Sequence, residues 1–172
     1  MPDTTKADWN SFSPQERAVI TFVRRDGEVL LIYKKRGLGA GKINGPGGRI
    51  EPGETPVEAA IRETREEVGV DVDRPVEHAR LHFAFRDGYT LTVYVFVSRR
   101  FSGAARETDE AVPFWVSLDA IPYRRMWADD ELWLPDVLAG RYVEGRFIFD
   151  EDAMLWSDLT VRPRETRHSD RP

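Results

Sequence analysis

Glu63, Glu66 and Glu67 place three carboxylates within five consecutive residues. Glu63 and Glu67 stand four apart, so on a helix they stack on one face, with Glu66 beside them. Like charges at that spacing cost roughly 0.2–0.5 kcal/mol per pair in water unless a cation lies between them. Oxygen donors of this kind suit Mg²⁺, which keeps some of its waters and shares the rest of its shell with substrate phosphates. The chemistry on offer is a divalent metal holding a polyphosphate. Taken alone, a glutamate-rich helix is also an ordinary solvated face, with Arg62 free to pair with Glu58 or Glu66 and Arg65 nearby.

The flanking residues define the element that carries these groups. Thr55 is a good N-cap, Pro56 suits the first helical position, and Glu58 follows three residues after the cap, which makes a capping box. Val57, Ala60, Ile61 and Val68 follow helical spacing, with Thr64 on the same stripe. Gly69 is the natural stop. Upstream, Gly48 lets the backbone approach closely.

Gly48, Glu54, Arg62, Glu63, Glu66, Glu67, Gly69 and Val70 stand at mutual offsets that resemble the Nudix box. Thr64 departs from it, standing where the family carries a bulky aliphatic residue, though a β-branched threonine still packs there. The resemblance implies the α/β (α+β) Nudix fold, an α/β/α sandwich with a mixed β-sheet. It also implies a pyrophosphohydrolase dependent on Mg²⁺, with Mn²⁺ able to substitute. Glu63, Glu66 and Glu67 become metal ligands in this reading, joined by Gly47 and by Glu110, a late-loop carboxylate serving as ligand or base. Arg62 is expected to pair with a box carboxylate and hold it in place.

A narrower resemblance covers about residues 17–161. The runs Lys34–Gly48, Glu107–Glu110 followed by Pro113–Trp115, and Met126–Pro135 are similar, in order and spacing, to the oxidised purine nucleoside triphosphatase (8-oxo-dGTPase) branch of the family. This implies a base pocket in which Asn44 reads the base, Asp129 and Asp130 form an aspartate pair, and Trp127 stacks on the purine. Gly47, Gly48 and Lys34 join the substrate set, Lys34 or its neighbour Lys35 either touching phosphate or lying solvated. Two adjacent aspartates in a desolvated pocket repel, which raises the pKa of one and lets it donate while its partner accepts. Pro46 and Ala128 depart from that branch at the pocket edge. The implied products are a nucleoside monophosphate and pyrophosphate. Read singly, Asp129 or Asp130 is a helix cap, Trp127 and Trp133 are core residues, and Asn44 is a turn residue. Two other readings stay open: hydrolysis of a nucleotide sugar, dinucleoside polyphosphate or capped RNA, and a non-catalytic ligand-binding module.

Two further motifs are decoys. Gly37-Leu38-Gly39-Ala40-Gly41-Lys42 fails the Walker pattern because Arg36 and Ile43 hold the wrong places, and fails the dinucleotide pattern at Lys42. It reads as a flexible lip after the second strand. His78, His82 and His168 have no catalytic setting and read as structural or exposed.

A chain of 172 residues with 41% hydrophobic and 32% charged residues suits one globular domain. A net charge of −5 offers no broad basic surface, so no nucleic-acid polymer is expected, and phosphate must be attracted locally. With no cysteine, disulfide and thiol chemistry are excluded. No apolar run spans a membrane and the start lacks a signal-peptide pattern, so a cytoplasmic monomer or weak dimer acting on a small nucleotide is expected.

The layout is a loose segment over 1–13 in which Trp9 and Phe12 pack down, a Nudix domain over 14–161, and a disordered tail over 162–172. Asp26-Gly27 predicts a hairpin of Arg17–Arg24 with Glu28–Lys35, and Asp87-Gly88 one of Val76–Phe85 with Tyr89–Ser98. Strands are also predicted over Val112–Val116, Arg146–Asp150 and Leu155–Val161, with a helix over Asp129–Leu138 that Pro135 ends early or kinks.

Overall fold

Strand β1 (Glu16–Arg25) is the element around which both halves of the fold are arranged. Its alternation sets this up: Val19, Thr21 and Val23 are buried on one face, and Phe22, flanked by Ile20, is buried on the other. The structure, a computed structural model, describes residues 7–164. His168 and residues 165–172 of the expected tail lie outside that range.

After β1 come β2 (Glu28–Lys34), β3 (Ile43–Asn44), β4 (Gly47–Arg49) and helix α1 (Pro56–Val68). Strands β5 (Asp71–Asp73), β6 (Val76–Phe85), β7 (Thr90–Ser98), β8 (Arg100–Ser102) and β9 (Ala111–Ser117) follow. Helix α2 (Asp130–Leu138), β10 (Arg141–Asp150) and β11 (Ala153–Pro163) complete the described chain. The order β11-β10-β6-β7-β1 forms a mixed sheet, with β1 parallel to β7 and β10 parallel to β6. β2 continues it as a second leaf with β3 and β9, while β5 and β8 pair separately.

The two helices cover opposite faces. Ala59 and Ala60 of α1 pack on Val19 and Phe96, and Val68 packs on Val23, Leu30 and Ile32. Trp133, Leu134 and Val137 of α2 share the other core with Phe22, Val29, Leu31, Leu81 and Phe147. This is the sandwich that the sequence predicts.

The expected first hairpin is only partly a hairpin. β1 and β2 pair at Arg24↔Val29 and Arg25↔Glu28, beside the turn, and then part. β1 goes on to pair with β4 and β7, β2 with β3 and β9. The chain from Ile43 to Arg49 crosses between the leaves: Asn44 pairs with Ile32 of β2, and Gly47 with Ile20 of β1. Glycines permit this crossing, because a Cβ on Gly45 would press on Ile20 and Phe22, and one on Gly47 would collide with the Val19 carbonyl. The second hairpin forms as expected, with Ala84 opposite Thr90 and a three-residue loop over 86–88.

α1 is built as its residues dictate. The Thr55 hydroxyl accepts from the Glu58 N–H at 3.2 Å, the Glu58 carboxylate accepts from the Thr55 N–H at 3.1 Å, and Gly69 closes the helix at φ 76°. Thr64 is fully buried, its hydroxyl satisfied by the Ala60 carbonyl at 2.7 Å. Val57 is not on the buried stripe: it is 42% exposed, and Ala59 is buried instead. α2 begins one residue later than predicted and continues through Pro135 to Leu138 rather than ending there. The terminal strands are longer than predicted, pairing from Arg141↔Pro163 to Asp150↔Ala153. Trp9 and Phe12 do pack down, Trp9 stacking on Trp156 at 5.8 Å and Phe12 meeting His82 edge-on.

Candidate active site

Where the two leaves part, a cleft of about 560 Å³ opens between the glycine crossing, α1 and the start of α2. Its lining takes in Lys34, Asn44, Gly47, Gly48, Glu63, Glu66, Glu67, Glu110, Trp127, Asp129 and Asp130. Those are all the site residues expected from sequence except Arg62, which acts from outside the lining.

Arg62 uses all five of its N–H donors. Nε and Nη2 grip the two oxygens of Glu54 at 2.7 and 2.8 Å, Nη1 reaches Glu63 at 2.7 Å and Glu66 at 3.2 Å, and Nη2 also donates to the Arg49 carbonyl at 3.0 Å. Glu58, one partner weighed from sequence, is occupied by the capping box instead. Hydrogen bonding to Arg62 holds the Glu54 carboxyl below its usual pKa. Glu54 is thus the clamp partner that the sequence placed in the pattern but assigned no role.

The carboxylate cluster is under electrostatic tension. Glu67 is 2% exposed, and burial together with Glu110 and Glu63 pushes its pKa up to about 7, against the Gly47 N–H at 3.0 Å and the charge of Lys34. Burial also raises Glu63, with Glu66 and Glu110 adding to the effect against Arg62. Glu110 is brought in by its loop: the Thr108 hydroxyl donates to the Glu67 carbonyl at 2.7 Å, and the Lys35 N–H to the Glu110 carbonyl at 2.9 Å. Among the described residues no three acidic or histidine side chains are drawn into a ready-made cage. Arg62, Gly47 and Arg36 each hold a carboxylate oxygen back, Arg36 taking Glu110 at 3.3 Å. The donor set nevertheless fits a divalent cation: the oxygens are clustered, desolvated and mutually repelling, and a Cβ on Gly48 would fill the space against the Glu63 carboxylate.

The far end of the cleft is aromatic and acidic. Asp129 and Asp130 are 2% and 3% exposed. Asp129 stands at the N-cap of α2 but its side chain makes no capping hydrogen bond; its Oδ2 accepts from the Trp133 indole N–H at 2.8 Å. Burial pushes Asp129 up to about 6, and burial plus the neighbouring Asp129 charge raises Asp130 well above its ordinary value. Oδ2 of Asp130 is buried with no hydrogen-bond partner. Asn44 gives its Oδ1 to the Gly45 N–H at 2.8 Å, which leaves its amide donors for the cleft. Trp127 stands edge-on to Phe149 at 5.7 Å and to Phe85 at 6.4 Å.

Glu16, Phe85 and Tyr89 also line the cleft and were not singled out in the sequence. Tyr89 donates to Glu16 Oε2 at 2.6 Å, and Arg49 bridges to the same oxygen at 2.8 Å. Burial and this carboxylate push Tyr89 up to about 12. Glu16 and Tyr89 are 73 residues apart, so no local signal marked them.

A glutamate-bearing helix set over a glycine crossing in a mixed sheet defines the Nudix class of hydrolase site. The NUDIX domain profile matches residues 14–137. The chain belongs to the Nudix hydrolase family, whose members work with a divalent metal. It is 41% identical over 131 residues to the oxidized purine nucleoside triphosphate hydrolase of Danio rerio, covering 76% of this chain and 84% of that protein. To the mouse protein of the same name it is 38% identical over 138 residues, covering 79% and 88%. Its fold matches the crystal structure of a mutator MutT protein from Bacillus halodurans with a TM-score of 0.76 at 26% identity, covering 84% and 97%. No helix among the described residues is long and apolar enough to cross a membrane.

Proposed function

We propose that this protein hydrolyses oxidised purine nucleoside triphosphates such as 8-oxo-dGTP to the monophosphate and pyrophosphate, with Mg²⁺ as its metal, and so cleanses the cytoplasmic nucleotide pool. The observation that carries the reading is the unsatisfied Asp130 oxygen at one end of a cleft whose other end is lined by Glu63, Glu66 and Glu67. A buried polar atom without a partner is costly unless a ligand completes it. The names of the vertebrate relatives agree with a purine triphosphate as that ligand.

In this reading Asp130 donates its proton to the purine edge and ionised Asp129 accepts from a ring or amino N–H. One proton shared between the pair serves either order of donor and acceptor, which suits several oxidised or tautomeric purines. Asn44 donates its amide along the same edge, and Trp127 supplies the stacking surface. Lys34 faces the phosphates. Glu63, Glu66, Glu67 and Glu110 hold the metal, with Gly47 able to add only its carbonyl. When bound, the cation neutralises phosphate charge and lowers the pKa of the attacking water. Arg62 keeps Glu63 aimed while the cluster is loaded, and Gly48 leaves room for the phosphate chain.

The test is steady-state turnover with Mg²⁺ across 8-oxo-dGTP, 2-hydroxy-dATP, the unmodified triphosphates, ADP-ribose and a diadenosine polyphosphate, with products resolved by chromatography. A higher kcat/KM for an oxidised purine, with pyrophosphate released, is the expected result. Preference for ADP-ribose or the dinucleotide keeps the acidic helix and discards the base pocket.

A further inference from the structure

Lys42 lies outside the cleft lining yet touches the residue on which base stacking depends. Its ammonium stands over the Trp127 ring at 5.2 Å and pairs with Asp152, in the β10–β11 turn, at 3.4 Å. The side chain is 28% exposed, so this cation–ring contact is partly desolvated and stronger than a surface one. Its backbone is fixed on both sides: the Lys42 N–H donates to the Gly39 carbonyl at 2.9 Å, and the Lys42 carbonyl accepts from the Lys34 N–H at 3.0 Å. Gly39, at φ 82°, lies so close to the indole that a Cβ there would meet Trp127 Nε1 at 2.8 Å. The 37–42 segment is therefore a series of closed turns pressed against the tryptophan. Phe85 and Phe149 also meet the ring, both edge-on.

We propose that Lys42, anchored by Asp152, is a positioning residue for base recognition: it fixes the orientation of Trp127 and thereby sets purine affinity. This rests on the reading of Trp127 as the stacking platform given above. An aromatic platform held in one orientation before binding loses less rotamer freedom when the base arrives. A loss at Lys42 is then a loss of ground-state binding, felt in KM and not in the chemical step.

The test uses the full chain carrying Lys42→Met, Lys42→Arg or Asp152→Asn. The readouts are kcat and KM for 8-oxo-dGTP, the Kd of 8-oxo-dGMP without metal, and the Trp127 indole N–H resonance, assigned by its absence in Trp127→Phe. K42M is expected to raise KM and Kd about three- to tenfold while kcat stays within about twofold. It should also shift or broaden the Trp127 indole signal. K42R restores KM, Kd and the indole signal, and D152N moves them the same way as K42M by less. Unchanged KM and Kd in K42M overturn the proposal, as do raised KM and Kd with the Trp127 indole signal unmoved (the effect then runs through the charge of Lys42 on Asp130), a fall in kcat at constant KM, or an Arg variant as impaired as the Met one. If instead the unaltered protein binds no purine monophosphate and turns over no purine triphosphate, the base pocket itself fails, a result distinct from normal binding that K42M leaves untouched.

Discussion

Arg62 holds Glu54 by two parallel hydrogen bonds, Nε to Oε2 at 2.7 Å and Nη2 to Oε1 at 2.8 Å, and so ties the loop before α1 to the helix that bears the cluster. With side chains 23% and 14% exposed this is not a surface pair. Bidentate geometry belongs to the guanidinium and is lost with lysine even though the charge remains. Arg62→Lys should lower kcat by roughly 10–100-fold, the usual cost of losing a support for a ligating group. A denaturation cycle of Arg62→Ala with Glu54→Ala should give a coupling energy of about 1–3 kcal/mol. Additive effects would show that the fork is incidental.

Glu67→Gln keeps the shape and the Gly47 N–H contact on one oxygen but removes the charge. If Glu67 holds the metal, kcat should fall by more than about 100-fold, beyond what a supporting residue costs. Binding of a nucleoside monophosphate without metal, measured by calorimetry, should hardly change, because the base contacts lie at the other end of the cleft. Retained turnover would remove Glu67 from the ligand set.

The same residue makes stability depend on pH. Glu67 is raised to about 7 from an ordinary 4.5, Asp129 to about 6 from 3.8, and Asp130 lies well above 3.8. Each binds its proton more tightly folded than unfolded, so the contribution is complete below the unfolded pKa and is lost as pH rises through the folded one. In the presence of a chelator the Tm should therefore fall from pH 5 to pH 8. Glu67 alone accounts for a loss on the order of 3 kcal/mol. Added divalent cation should raise the Tm more at pH 8 than at pH 5, and Glu67→Gln should flatten the profile around pH 7. A Tm that climbs over this range without metal would contradict the desolvated cluster.

Gly48→Ala tests the closeness of strand and helix. The new Cβ would be driven into the Glu63 carboxylate, displacing it from Arg62. Turnover should drop sharply while the melting temperature in chelator falls by only a few degrees, since overpacking of this kind costs about 1–3 kcal/mol. Unaltered turnover would mean that Glu63 can move without consequence.

What was legible in the sequence follows the range of the interactions. α1 was readable from cap to stop because Thr55, Pro56, Glu58 and Gly69 act within a turn of one another. The β6–β7 hairpin was readable for the same reason. The β1–β2 hairpin expected from the sequence forms only beside its turn, because Asp26-Gly27 specifies only the turn, whereas the longer run of β1 chooses β7, far along the chain, as its parallel neighbour. β3 and β4 leave no pattern in the sequence, because Asn44, Gly47 and Gly48 pair through backbone and show no alternating side chains. Periodicity places Val57 on the core stripe, but at the first turn of α1 that position is exposed. The residues that the sequence singles out, Arg62 apart, line one cleft; what periodicity does not supply is who holds whom, such as Trp133 on Asp129 or Tyr89 on Glu16.

Asp129→Asn separates the base pocket from the rest of the cleft. Asparagine preserves the volume and an oxygen for the Trp133 indole, which now donates to Oδ2 at 2.8 Å. It removes the charge that helps hold the proton on Asp130, so Asp130 becomes easier to ionise and the shared-proton arrangement is lost. The purine edge then meets an amide and a carboxyl whose order of donor and acceptor cannot exchange. Discrimination between oxidised and unmodified purine triphosphates, read as the ratio of kcat/KM values, should fall by about 10–100-fold, the loss expected when one charged hydrogen bond of roughly 1.5–3 kcal/mol is removed. Hydrolysis of any substrate held by its phosphates alone should persist, because the glutamate cluster is untouched. An Asp129→Asn protein with unaltered selectivity would show that the aspartate pair serves α2 and the Trp133 indole rather than the base.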